Sequence, residues 1–125
     1  MAMVWEQGEL FPRANKADVM VTKVLLRKYP KMAGIVNDLK GRSELTAEEA
    51  ATLKKWNPII MNIELAIKSI TDAEIREIMK YRFVDLYPRK AAVIKWSSFT
   101  GRSLDRKILE GTVSVAGTLK LLGII

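Results

Sequence analysis

Residues 100–108 read Thr-Gly-Arg-Ser-Leu-Asp-Arg-Lys-Ile, and this stretch indicates the fold more strongly than any other. Thr100 suits a helix N-terminus, because a threonine hydroxyl accepts a hydrogen bond from one of the unpaired backbone N–H groups there. Leu104 and Ile108 are four residues apart, so they share one face of the predicted helix and can anchor it on its neighbours. The polar side chains on the outward side are Arg102, Ser103, Arg106 and Lys107.

A shorter helix is predicted just before this one, over residues 89–98. Pro88 fits its start, because proline is favoured in a first helical turn. The apolar side of this helix holds Ala92, Val93 and Trp96. The turn 98–101, Ser-Phe-Thr-Gly, separates the two helices. Two helices joined by such a turn, the second with basic side chains in its first turns, are typical of a helix-turn-helix.

Three helix starts are predicted upstream of this pair. Residues 46–49, Thr-Ala-Glu-Glu, and residues 71–74, Thr-Asp-Ala-Glu, both match the capping box, in which a threonine and a glutamate pair with backbone donors. Asn15 is the expected cap of the first helix. Pro30 and Pro58 lie inside otherwise helical patterns, so each predicts a kink or a break.

The chain as a whole is predicted to be all-α, with five or six helices, because no segment alternates with a period of two for long. We expect an N-terminal arm at 1–14, a helical region for oligomerisation or regulation at 15–70, and the helix-turn-helix region at 71–125. The tail 113–125 carries more apolar side chains than one helix face can hide. It therefore predicts self-association into a homo-oligomer.

Positive charge is concentrated in one part of the chain. Of the net charge of +7, residues 1–75 contribute +1 and residues 76–107 contribute +6. Clustered Lys and Arg neutralise phosphates and release condensed counterions, so this distribution favours a surface for a polyanion. The alternative is an ordinary solvated face. Because the charges of residues 1–75 nearly cancel, the region 15–70 is expected to add little to DNA affinity.

The predicted DNA contacts follow from the side-chain chemistry of the basic segment. Arginine can form two hydrogen bonds to guanine, whereas serine, threonine and the helix N-terminal amides can hold phosphate. We expect Arg106 to reach a base edge and Lys107 to meet phosphate. The complete set of predicted contact residues is Arg89, Lys90, Lys95, Thr100, Arg102, Ser103, Arg106 and Lys107.

Composition argues against catalysis. The chain has neither cysteine nor histidine, so it lacks the commonest metal ligand and the commonest general base. The acidic pairs fall in predicted first helical turns, where carboxylates complement the helix dipole. We therefore expect a protein without enzymatic activity, metal or cofactor. No apolar run approaches the roughly 20 residues of a membrane helix, and no signal peptide is recognisable, so we expect a cytoplasmic protein.

The sequence resembles a family of regulators. Residues 67–74, Ile-Lys-Ser-Ile-Thr-Asp-Ala-Glu, together with 78–83 and 100–106, resemble the region-four helix-turn-helix of sigma factors and of phage late-gene activators of the ArpU and RinA type. Residues 10–34 are similar to the opening of ArpU-type proteins. The resemblance implies a phage or prophage activator that binds double-stranded DNA upstream of late or packaging genes in a bacterial cell. RNA polymerase is then a further candidate partner.

Two other hypotheses fit the same pattern. A small terminase subunit also joins a helix-turn-helix to an oligomerising helical region, although its DNA-binding helices usually come first, whereas here the basic part comes late. An oligomeric structural adaptor without DNA binding would use the apolar tail as its working surface, and the charge would be incidental.

Overall fold

The computed structural model describes residues 13–125. In this range it contains five α-helices and no strand, so the all-α prediction is confirmed. The predicted arm falls largely outside this range, because residues 1–12 are not described. The helices are α1 (Lys16–Lys40), α2 (Ala47–Lys68), α3 (Ala73–Met79), α4 (Arg89–Lys95) and α5 (Gly101–Leu121). A π-helical turn, Lys80–Val84, continues α3.

The two long N-terminal helices begin where the sequence predicts. Asn15 and Asp18 form a reciprocal capping box at the start of α1, and Thr46 and Glu49 form one at the start of α2. Three of the predicted helix starts are thus set by local hydrogen bonds, since Thr100 likewise accepts a bond from the backbone N–H of Ser103 at the start of α5. Each cap satisfies a backbone donor that has no partner within its helix.

Neither internal proline ends its helix. Pro30 lies inside α1 and Pro58 lies inside α2, so of the kink or break predicted at each proline, the break does not occur. An interior proline costs about 3 kcal/mol through its missing hydrogen bond and its ring clash. Each buried Val, Leu, Ile or Met side chain contributes about 1.5–3 kcal/mol in the opposite direction. Beyond Pro30, α1 buries Met32, Val36 and Leu39, and this burial holds the helix together past the proline.

The third helix start differs from the prediction. The cap is Asp72, whose carboxylate accepts hydrogen bonds from the backbone N–H groups of Glu74 (2.9 Å) and Ile75 (3.0 Å). The capping box led by Thr71 is therefore wrong. Aspartate and threonine both suit the position, and the sequence pattern alone does not choose between adjacent candidates. The helix itself begins at Ala73.

A large hydrophobic core joins the first and the last helix of the described residues. It includes Leu26 of α1, Ile63 of α2, Met79 of α3 and Val115 of α5, all buried. The tail takes part in this core, since Leu119 is fully buried and Ile124 and Ile125 pack against the cluster. Leu121 and Leu122 remain exposed. Much of the apolar tail is therefore accounted for within a single chain.

A smaller core holds α3, α4 and α5 together. One buried side chain from each helix meets at its centre, namely Ile78, Ala92 and Leu104. The surrounding side chains are Tyr81, Val93, Trp96, Phe99 and Ile108. Ile108 also packs against the large core, so the two clusters meet at the middle of α5. The three helices form one unit, and α5 connects this unit to the large core because it contributes side chains to both clusters.

Gly111 is a position of close approach between α5 and α3. A Cβ atom built on Gly111 would lie 2.5 Å from Cγ and 2.6 Å from Sδ of Met79. Met79 is fully buried, so its side chain has no solvent to move into. On propensity alone a glycine inside a helix only weakens it. The structure gives Gly111 a packing role, because its lack of a side chain lets the two helices touch.

We predict that Gly111→Ala lowers the free energy of unfolding by about 1–3 kcal/mol, as overpacking of a core does. Gly34→Ala is the matched control, because Gly34 is also helical but has nothing within 4 Å of the place where a Cβ atom would lie. It should raise stability by about 0.5–1 kcal/mol through reduced backbone entropy. Urea titrations followed by helical circular dichroism measure both. A Gly111→Ala protein as stable as the wild type would contradict the close packing.

Candidate nucleic-acid interface

The first two turns of α5 project basic side chains away from both cores. Arg102 and Arg106 are exposed and lie four residues apart, so they are neighbours on the helix surface. Within residues 13–125 neither takes part in an ion pair. Ser103 is half-buried beside them, and its backbone N–H is bound by the Thr100 hydroxyl. These four predicted residues are brought together at one capped helix start.

Lys107 lies on a different side of α5. Its ammonium is 3.2 Å from a carboxylate oxygen of Glu74 on α3, and only 24% of its side chain is exposed. The same ammonium sits 5.0 Å from the centre of the Phe99 ring. Successive helical residues differ by about 100° in direction, which separates Lys107 from Arg106. Lys107 thus ties α5 to α3, and its phosphate contact stays a prediction.

Arg89 joins the start of α4 to α5 through Asp105. Its Nε and Nη2 donate to the two carboxylate oxygens at 2.8 and 3.0 Å, a planar fork that fixes both side chains. These hydrogen bonds hold the pKa of Asp105 below its ordinary value, and Arg82 nearby adds to the effect. Both partners are about half-exposed, so the pair orients α4 on α5 more than it stabilises the fold.

The remaining predicted residues lie on α4. Lys90 is exposed at its start. Lys95 points towards α3, with its ammonium 5.5 Å from the ring centres of both Tyr81 and Trp96. It lines a cavity of about 550 Å³ whose other charged side chains are acidic: Glu74, Glu77 and Asp85. A phosphate would be repelled there, so Lys95 is less well placed for DNA than the arginines of α5.

Sequence reasoning missed Arg82. It lies in the π-helical turn, donates from Nη1 to the carbonyl of Tyr87 at 2.9 Å, and has a buried Nε that finds no partner in residues 13–125. It shares a groove of about 540 Å³ with Asp105 and with Lys23 and Arg27 of α1. No local pattern marks this cluster, since its members are up to 82 residues apart in the sequence. Only the four-residue spacing of Lys23 and Arg27 hints at a shared helix face.

Comparison of the chain with protein-family models, with curated proteins and with solved structures finds no match. The functional interpretation therefore rests on the geometry of the site. No helix within residues 13–125 is both long enough and apolar enough to cross a membrane.

We predict a defined pH dependence for the Arg89–Asp105 pair. Because the folded-state pKa of Asp105 lies below its ordinary value of 3.8, the pair contributes stability above that value and loses it as pH falls through the folded pKa. The difference in unfolding midpoint between wild type and Asp105→Asn should be constant from pH 8 to 5 and shrink below about pH 4. Urea titrations across this range measure it.

Glu44→Gln is the control for that experiment, because Glu44 is exposed in the connection between α1 and α2. It should follow the wild type closely at neutral pH. A wild-type advantage over Asp105→Asn that grows on acidification would contradict the lowered pKa of Asp105 and the pairing with Arg89 that causes it.

Proposed function

We propose that this protein is a sequence-specific binder of double-stranded DNA in which α4 and α5 act as a helix-turn-helix. The observation that carries the proposal is the small core of Ile78, Ala92 and Leu104. This core leaves Arg102 and Arg106 exposed, and without an ion pair in residues 13–125, on the outer side of a capped helix start. A helix-turn-helix reads DNA with the N-terminal residues of its second helix in the major groove.

Each part of the site has a role in this mechanism. The second half of α5 packs one face into the large core, through Val115, Ala116 and Leu119, so its first two turns are the part free to enter a groove. Arg106 would form a bidentate contact with guanine, and Arg102 would meet a second base or a phosphate. Ser103 and the N-terminal amides of α5 would hold phosphate. Arg89, fixed by Asp105, would set the angle between the two helices.

The biological role we infer is transcriptional activation of phage or prophage late genes in the bacterial cytoplasm. The resemblance of residues 67–74, 78–83 and 100–106 to late-gene activators and to sigma region four supports it, and RNA polymerase would be a further partner. We assign no enzymatic activity. A small terminase subunit would use the same helix-turn-helix, whereas a structural adaptor would leave Arg102 and Arg106 without a partner.

We predict that Arg106→Ala weakens binding to a selected DNA site by about 1–3 kcal/mol, since a bidentate base contact is worth that much. Binding to scrambled DNA should weaken much less, because a base contact exists only on the correct sequence. Lys55→Ala on the exposed face of α2 is the control, since it removes the same charge away from the site. Fluorescence anisotropy at several salt concentrations on both DNAs measures the effect.

Lys107→Ala is measured beside it. A phosphate contact predicts equal weakening on both DNAs and a salt slope lower by about 1 unit. If neither Arg106→Ala nor Arg102→Ala changes affinity on either DNA while the wild type binds, α5 does not touch DNA. If the wild type itself fails to bind duplex DNA at low salt, the adaptor hypothesis replaces this proposal.

Self-association remains part of the proposal, because paired helix-turn-helix units read two half-sites one helical turn apart. Leu65, Val113, Leu121 and Leu122 line an open cavity of about 560 Å³ between the ends of α2 and α5. We predict that Leu121→Ser with Leu122→Ser lowers the sedimentation mass without changing the helical spectrum. An unchanged mass would place the oligomer contact elsewhere or exclude it.

A further inference from the structure

Helix α1 carries a row of cations on the side facing away from the core. Lys16, Lys23, Arg27 and Lys31 are all exposed, and at about 100° per residue they fall within about 80° of one another. The row extends along roughly 22 Å of helix at 1.5 Å per residue. Within the described chain none of the four takes part in an ion pair. We call these four residues the α1 basic stripe.

The carboxylates of the same region lie elsewhere. Asp18 binds Lys120 of α5 at 2.9 Å, and Asp38 binds Arg42 at 2.8 Å. Arg42 also pairs with Glu49. Glu64 accepts a hydrogen bond of 2.5 Å from the buried Tyr29 hydroxyl. None of these carboxylates pairs with the stripe, which therefore keeps a positive field of its own.

The α1 basic stripe borders the proposed DNA-binding helix. Lys23 and Arg27 line one side of the groove of about 540 Å³, and Asp105 and Leu109 line the α5 side, with Arg82 between them. Arg102 precedes Leu109 by one heptad, so the two project from α5 within about 20° of each other. Arg102 thus projects from the groove side of α5, about two turns nearer the helix start than Leu109.

We propose that the α1 basic stripe is a second contact surface for the same DNA duplex, binding its phosphates beside the segment read by α5. This inference rests on the proposed function and extends it to the N-terminal half, for which the sequence predicts little DNA affinity. The contact needs no base recognition, because phosphates are alike along the duplex. It would fix the orientation of α5 in the groove and add affinity that depends steeply on salt.

Arg82 supports the groove as part of this surface, because it lines the groove together with Lys23 and Arg27. The groove thus combines three cations with one carboxylate. Asp105 already accepts hydrogen bonds from Nε and Nη2 of Arg89, so its carboxylate does not by itself neutralise the cations of the groove. A phosphate oxygen near the mouth of the groove would meet Lys23, Arg27 and Arg82 together.

The test is the double variant Lys23→Ala with Arg27→Ala. Both side chains are exposed, so folding should be retained, and the helical spectrum and melting midpoint verify it. Loss of two phosphate contacts should lower the slope of log affinity against log salt by about 1.8 and weaken binding about tenfold at moderate salt. Selected and scrambled DNA should be affected alike. The matched control, Lys54→Ala with Lys55→Ala on α2, should leave the slope unchanged.

The outcomes separate this inference from the proposed function. If the stripe variant keeps the wild-type slope while Arg102→Ala with Arg106→Ala lowers it, the stripe does not bind DNA and the helix-turn-helix proposal stands. If neither double variant alters binding, both fail. If the Lys54/Lys55 control lowers the slope equally, the effect comes from net charge alone, and the proposal that the α1 basic stripe binds DNA is wrong. Lys23→Arg with Arg27→Lys should keep the slope, because it keeps both charges.

Discussion

The contact of Gly111 with Met79 sets the position of α5, and the rest of the structure depends on that position. The helix is continuous over 21 residues but lies in two cores, with Leu104 in the small one and Leu119 in the large one. A helix of this length cannot bend freely between them, so the close approach at its middle fixes both ends. The basic first turns are thereby held at a fixed angle to the body of the protein.

The ion pairs of this protein say more about its charged surfaces than the net charge of any segment does. The acidic side chains are used to join elements: Asp18 joins α1 to α5, Asp105 joins α5 to α4, and Glu74 joins α3 to α5. The cations that remain unpaired in residues 13–125 include Arg102, Arg106 and the α1 basic stripe. A surface ion pair adds little stability, yet it decides which cations stay available to a polyanion.

Local signals in the sequence predict the helix starts well where a side chain pairs with its own backbone three residues away. Asn15, Thr46 and Thr100 cap as expected. The errors arise where local and distant forces compete. Pro30 and Pro58 favour a kink or a break, but buried side chains beyond each proline, such as Met32 in α1 and Ile60 in α2, keep the helix continuous. At the third start two adjacent residues could cap, and the fold places Asp72 there.

The all-α class, the three caps and the arginines at the start of the last helix can be predicted from the amino-acid sequence, because they depend on neighbours within one or two turns. Which cations lack an ion-pair partner within residues 13–125 depends instead on how the helices pack. Lys107 and Arg106 are adjacent in the chain. Within residues 13–125 Lys107 pairs with a carboxylate of α3, whereas Arg106 has no ion pair. Likewise Lys23 and Arg82 meet in one groove because α1 packs against the π-helical turn. Such pairings depend on distances between helices, and these are set by the packing of buried side chains far from the charges themselves.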